Sequence, residues 1–341
     1  MKSFFLSYCV MENQTLKKNQ TFTCTVHDLN DDAQGVVRVN DYVGFVDGVL
    51  PGEKIEICIT KCKRDFFLAD CITRMSDSPN RSTPFCEHFD TCGGCKLQHL
   101  TYSAHAHIKL AQWQNLYKKM LGEACPVKPE TVFVTPKAYR RKARISCRYV
   151  AKKGKVCVGF REKQGRFVLD GAICPLLASH PALFTELSNV LTPLSIAEHI
   201  PQVEYLYDSK HTHLIFRVLT SPNKKDVEAL KLFCDNHKFK GSLQINKNVG
   251  VIPLSKSIDE IMQDLLQQHT SIQNIQYETL GYTINAHYQD FIQVNRQIND
   301  QLVKQVVEWA KDAQPGKVLD LFCGLGNFSI PLSFHSKQTL G

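Results

Sequence analysis

Cys86, Cys92 and Cys95 lie in a C-x5-C-x2-C run around the turn Cys92-Gly93-Gly94-Cys95. Cys174 follows far downstream and precedes Pro175. Thiolates spaced this closely are suited to holding a metal, and glycine supplies the backbone freedom such a knuckle needs. Four of them satisfy either a closed zinc site or an iron–sulfur cluster, and spacing leaves the two open. The competing reading is a set of reduced core cysteines. A second chemistry-bearing segment is Val318-Leu319-Asp320-Leu321-Phe322-Cys323-Gly324-Leu325-Gly326-Asn327. A buried strand over Val318–Phe322 that runs into a glycine-rich turn brings backbone close to a ligand at the carboxyl end of the strand. The turn is Gly-x-Gly-x-x-Ser rather than a full dinucleotide fingerprint. Asp320, an acid placed in that strand, needs a polar partner. The pattern suits S-adenosylmethionine better than a nicotinamide cofactor. The alternative is an ordinary tight turn.

Charge marks a third region. From Tyr139 to Phe167 there are eleven Lys or Arg and one acid, Glu162, whereas the other residues carry 30 basic and 32 acidic side chains. One local patch therefore accounts for the whole net charge of +8. Such a patch attracts a polyphosphate backbone. Arg140, Arg141, Lys142, Arg144, Arg148, Lys152, Lys153 and Lys155 are the candidate nucleic-acid contacts. The competing reading is a solvated charged face.

The elements that must position these residues can be read in outline. Residues 15–74 alternate in five short segments separated by Gly, Pro, Asn and Asp, which predicts a small closed barrel of OB type. Lys61, Lys63, Arg64, Phe66 and Phe67 could serve nucleic acid there, or one of the two phenylalanines is core. Tyr102–Leu121 reads as a helix with Ile108, Ala111, Leu116 and Met120 near one face. Arg144–Val150 and Val156–Phe160 read as a β-hairpin with one basic face. Ala182–Leu191, Lys225–His237 and residues 298–312 read as helices. Val203–Tyr207, Leu214–Val218 and Ser242–Asn246 read as strands. The fold class is multidomain α+β and α/β. It comprises a disordered stretch at 1–14, the barrel at 15–74, a central α+β domain at 75–270 carrying the four cysteines, and the start of a Rossmann-like domain at 271–341. At 341 residues with 43% hydrophobic content the chain can build such cores.

No run of 18 apolar residues occurs, and Met1 to Val10 lacks the makings of a signal peptide. Fourteen cysteines in a chain of this length then read as reduced thiols of a cytoplasmic protein. Only one strand and the start of one helix of the last domain precede Gly341, so the chain reads as C-terminally incomplete.

Taken together, these segments resemble the RNA uracil-5 methyltransferases of the TrmA/RumA family. The resemblance runs from about residue 15 to the end. It implies a TRAM barrel, a central domain with a [4Fe-4S] cluster on Cys86, Cys92, Cys95 and Cys174, and an S-adenosylmethionine domain. Phe291-Ile292-Gln293-Val294-Asn295 resembles the family's F-x-Q-V-N motif, and Leu319–Phe328 its L-D-L-F-C-G-x-G-N-F motif. By that match Gln293, Phe322 and Asn327, with Asp320, Gly324 and Gly326, would bind the cofactor. Barrel and cysteines together point to the ribosomal-RNA branch, hence to 23S rRNA as partner, no membrane and a monomer. The alternatives are a tRNA-directed enzyme of the same family, or an iron–sulfur RNA-binding protein without catalysis. The family's S-C-N-P-like nucleophile motif and its basic glutamate are not found in the 341 residues. No catalytic residue is therefore assigned, and Cys323 reads as a packing residue of the cofactor loop.

Overall fold

The computed structural model describes residues 16–341 apart from 124, 128, 164, 172, 246–249 and 273. The stretch 1–14 and Asn246 thus lie outside the described residues. The chain divides into two compact units, one up to Asp90 with 95–129 and the other 91–94 with 130–341. In this division Tyr102–Leu121 falls in the first unit and residues 271–341 in the second.

The first unit is built on β1 (Thr21–Thr25), β2 (Asp28–Leu29), β3 (Gly35–Val39), β4 (Tyr42–Val46), β5 (Lys54–Cys62) and β6 (Phe66–Arg74). They form one sheet in the order β1-β5-β6-β4-β3-β2, with β4 and β6 parallel and the other pairs antiparallel. Alternation places Ile55, Ile57 and Ile59 inward with Val37, Val39, Val46 and Phe67. Phe67 lies across β4, where a side chain on Gly44 would come within 2.1 Å of its ring. Phe66 points the other way and meets Phe45 edge-to-face at 5.6 Å, beside exposed Lys61, Lys63 and Arg64. Of the two phenylalanines, Phe67 is core and Phe66 is available to a ligand.

Helix α1 (Tyr102–Leu121) forms where expected and ends at Gly122, whose φ of 78° closes it. Its expected apolar face packs only in part: Ile108 meets the buried cluster of Leu29, Leu50, Leu100 and Ala104. Only Ala104 is buried, and Leu116 and Met120 are 55% and 74% exposed. A periodic pattern states which residues share a face, not whether anything covers them.

The second unit holds β7 (Lys142–Val150), β8 (Lys155–Gly159), β9 (Gln202–Tyr207), β10 (Thr212–Val218), β11 (Lys240–Ile245) and β12 (Ile252–Pro253). Their order is β12-β11-β10-β9-β7-β8. Only β10 and β11 run parallel, joined through α3 (Lys224–His237), while α2 (Leu183–Leu191) packs on β8. The basic hairpin is β7–β8, with Ala143, Ile145 and Cys147 buried between outward Arg144, Ser146 and Arg148. Two further elements escaped the sequence reading. Helix α4 (Ile258–Gln267) is announced by the reciprocal capping of Ser257 and Glu260. The hairpin β13 (Asn274–Thr279) and β14 (Tyr282–His287) turns at Gly281, at φ 82°. It packs Ile275, Tyr277, Ile284 and Ala286 against Leu206 and Ile215 of the sheet. Helix α5 (Arg296–Ala313), strand β15 (Lys317–Leu319), the short α6 (Ser329–Ser333) and β16 (Gln338–Leu340) complete the unit. Strands β15 and β16 pair in parallel, so this end of the chain holds a second strand beyond the one read from sequence.

One buried ion pair braces the barrel unit. Glu53 is fully buried and accepts from the N–H of Leu50 and Ser78 and from both Nε and Nη2 of Arg81. Burial alone would raise its carboxyl, but Arg81 and those N–H groups outweigh it and hold the group below the usual carboxylate value. Glu53→Ala leaves Arg81 unpaired and should cost the barrel unit about 3 kcal/mol in chemical denaturation. Because the folded value is depressed, the stabilisation is present above the unfolded carboxyl value and falls away as pH drops through the folded one. The wild-type unit should therefore lose more stability on acidification than the Glu53→Ala protein, measured by denaturation at pH 7 and pH 3.

Candidate cofactor site and basic face

The glycine-rich loop leaves β15 at Asp320. The Asp320 N–H donates to Leu340 of β16, and its carboxylate accepts the Ser329 hydroxyl at 2.5 Å. The polar partner an acid needs here is thus Ser329, which opens α6. The loop takes three left-handed residues, Phe322 (φ 63°), Gly324 (φ 57°) and Gly326 (φ 84°). A side chain on Gly324 would meet open space. Phe322 is the costly one, since such backbone in a bulky residue persists only where the surroundings over-determine it. Its ring is wholly exposed.

The expected buried strand over Val318–Phe322 is corrected by the structure. The strand covers Lys317–Leu319 only, and Leu319 and Leu321 are 63% and 70% exposed. A parallel strand reads as an apolar run because it is covered on both faces; among the described residues β15 has a single neighbour, β16.

Residues 291–295 run from the end of β14 into α5. Ile292 is buried, whereas Phe291 and Gln293 are exposed. The segment is held by the start of β7. Arg141 donates through its backbone N–H to Val294 O at 3.0 Å and through Nε to Gln293 O at 2.7 Å. Arg140 bridges to Asn295, and Lys142 Nζ donates to Asp290 O at 2.5 Å. Arg141 is 2% exposed, with its guanidinium 4.9 Å from the Tyr277 ring centroid. It is therefore removed from the set of surface RNA contacts: it faces the core with Ala143, Ile145 and Cys147, two residues apart along the strand. Burial lowers its pKa, and burial of Lys142 lowers that of the Lys142 ammonium.

Asn295 caps α5, its side chain accepting the Ile298 N–H at 3.1 Å. One turn later, buried Asn299 reaches the glycine-rich loop. Asn299 Nδ2 donates to Asn327 Oδ1 at 3.0 Å, and Asn327 Nδ2 donates back to Asn299 Oδ1 at 2.9 Å. Helix α5 thus brings the 291–295 segment and the 320–328 loop to one place. The sequence reading missed Asn299, although it falls in line with buried Val303 and Val307 along the helix.

On the basic hairpin several cations are committed. Arg144 pairs with Glu204 at 2.8 Å, and Lys153 and Lys155 both reach Asp170 at 2.9 Å. Arg140 lies 5.6 Å from the Phe160 ring centroid. Arg148, Lys152, Arg161 and Arg166 are exposed and carry no ion pair among the described residues.

Of the four cysteines, Cys86 and Cys95 belong to the first unit and Cys92 and Cys174 to the second. Cys92 and Cys174 are buried. Gly93 and Gly94 lie against residues 160–162 so closely that a side chain on Gly93 would come within 3.0 Å of Arg161 O. The Gly94 N–H points at Cys92 Sγ, 3.4 Å away. Among the described residues no group of three or more His, Cys, Asp or Glu is placed to hold a metal ion. No helix among them is long and apolar enough to cross a membrane.

Known proteins resemble the chain over most of its length. A family described as tRNA (Uracil-5-)-methyltransferase matches residues 181–341, and one described as TRAM domain matches residues 16–72. The 23S rRNA (uracil(1939)-C(5))-methyltransferase RlmD of Francisella tularensis subsp. novicida is 34% identical over 333 residues, covering 95% of this chain and 71% of that relative. RlmD of Methylococcus capsulatus is 35% identical over 320 residues, covering 91% and 68%. Among solved structures, Pyrococcus abyssi tRNA (uracil-54, C5)-methyltransferase in complex with S-adenosyl-L-homocysteine is similar in fold, with a TM-score of 0.60 and 17% identity over 91% of this chain and 70% of that one. With a TRAM domain at 16–72, a methyltransferase segment at 181–341 and relatives 34% identical over most of its length, the chain belongs to the TrmA/RumA family of RNA uracil-5 methyltransferases.

Proposed function

We propose that this protein serves S-adenosylmethionine-dependent methylation of C5 of a uridine in 23S rRNA. The observation that carries the reading is the junction on α5, where the 291–295 segment and the glycine-rich loop meet through Asn295, Asn299 and Asn327. Likeness to RlmD relatives over 95% of the chain supports the ribosomal substrate over a tRNA. The residues present suit the cofactor: Gly324 gives close approach at a left-handed turn, and the exposed Gln293 and Phe322 flank the junction with Asp320, Gly326 and Asn327. S-adenosylmethionine supplies an electrophilic methyl group on sulfonium. These side chains would bind and orient it.

Uracil C5 becomes nucleophilic when a thiolate adds to C6, and a base then removes the C5 proton. No segment of the 341 residues matches the motif that carries that thiolate. Cys323 does not take its place: it sits inside the cofactor loop, its Sγ turned to Gly324 O at 3.8 Å. Cofactor and RNA surfaces are thus identified among the 341 residues, and neither the thiolate nor the base is assigned to a residue.

Titration calorimetry with S-adenosylhomocysteine tests the cofactor side. The protein should bind it, and Gly324→Val, forced into left-handed backbone, should bind at least about tenfold more weakly. Equal affinity in the variant places the ligand elsewhere. No binding to the wild type contradicts the reading.

The basic hairpin and the Phe45–Phe66 face of the barrel are the proposed RNA surfaces. Replacing Arg148, Lys152, Arg161 and Arg166 by Ala should flatten the log–log salt dependence of binding to single-stranded RNA by roughly 3 units. An unchanged slope moves the backbone contacts to the barrel.

The four cysteines are proposed as ligands of a [4Fe-4S] cluster with a structural role. Supporting this are the donor set itself, two buried thiols and an N–H directed at a sulfur. Anaerobically purified protein should contain about four irons per chain and absorb broadly in the visible. Zinc without iron would replace the cluster by a closed thiolate site.

A further inference from the structure

We infer that Asn299 is a positioning residue that fixes the orientation of the Asn327 amide in the glycine-rich loop. The inference rests on the cofactor reading above and goes beyond it to a residue outside both motifs.

The argument is one of donors and acceptors. The Asp300 carboxylate can only accept, so the Thr279 hydroxyl at 3.0 Å must donate to it. Having given away its one proton, Thr279 Oγ1 can only accept from Asn299, 2.8 Å away. That assigns Nδ2 of Asn299 to Thr279. Its other N–H goes to Asn327 Oδ1, and its Oδ1 takes the Asn327 N–H. The directions then run without ambiguity from Asp300 through Thr279 and Asn299 to Asn327. Asn299 and Thr279 are 2% and 0% exposed, so water does not compete for these bonds. The outer end of the relay, Asn327, is half-buried and keeps one N–H and one lone pair for a ligand. An amide flip there would exchange a donor for an acceptor at the cofactor. The relay forbids the flip, and it does so from β13 and α5, two packed elements, on behalf of a loop whose own backbone is strained.

A double-mutant cycle on S-adenosylhomocysteine affinity tests this. Asn299→Ala should weaken binding about 10- to 100-fold, the size expected when a buried amide loses its partner. In an Asn327→Ala background the same change should cost less than about twofold further, because its route to the ligand is already cut. A purely structural role would lower the melting temperature in both backgrounds without this dependence. Should Asn299→Ala fail to fold, isosteric Thr279→Val removes the acceptor that orders the relay and should still weaken binding several-fold in a folded protein. Wild-type affinity in a folded Asn299→Ala or Thr279→Val protein overturns the inference, as does a full loss in the Asn327→Ala background. A wild-type protein that binds no S-adenosylhomocysteine overturns the cofactor reading and the inference with it.

Discussion

A guanidinium buried to 2% exposure organises the second unit. Arg141 cannot sit in the core without compensation, since an isolated charge there is expensive. Its compensation comes from two directions: the Tyr277 ring faces it, and the Gln293 carbonyl accepts its Nε. The first ties β7 to the hairpin that covers the sheet. The second ties β7 to the segment leading into α5. Its Nη1 and Nη2 make no hydrogen bond among the described residues, which makes the Tyr277 face and the Gln293 bond the more important. Strand, hairpin and helix entry are thereby fixed against one another, and the exposed side chain of Gln293 projects from a backbone that cannot drift.

The glycine-rich loop depends on this frame. Its own framework is slight, a three-residue strand with one neighbour among the described residues and a five-residue helix. Left-handed backbone at Phe322 costs free energy that so small a unit does not easily offset. Helix α5 supplies the missing constraint, through a capped first turn and an amide pair one turn on. Positional accuracy at the candidate site is thus borrowed from the central sheet, an arrangement suited to a loop that must meet a ligand with backbone as well as side chains.

Much of this was legible in the sequence, and the failures share a cause. Alternation in β5 and β7 is visible because one face of each is buried, so the pattern and the burial coincide. The same alternation, carried two residues further back, puts Arg141 with Ala143, Ile145 and Cys147. A count of charges hides that, because it treats every arginine between Tyr139 and Phe167 as surface. Helix α1 shows the opposite limit: periodicity puts Ile108, Leu116 and Met120 near one face, yet Ile108 packs on a buried cluster while Leu116 and Met120 stay exposed. Asn299 was invisible as chemistry because an asparagine in a helix is ordinarily read as solvated, although its register with Val303 and Val307 marks the buried face. Motif residues, by contrast, were legible because their constraints are local: left-handed turns at Gly324 and Gly326, and a polar partner for Asp320, which proves to be Ser329.

The central claim, that the gene's product methylates C5 of a uridine in ribosomal RNA, is tested most directly in cells. Nucleosides of 23S rRNA and of bulk tRNA would be compared with and without the gene. The account predicts loss of a 5-methyluridine from 23S rRNA, unchanged tRNA, and recovery when the gene is returned. An unchanged 23S rRNA would contradict it, and loss confined to tRNA would assign the protein to the other branch of its family.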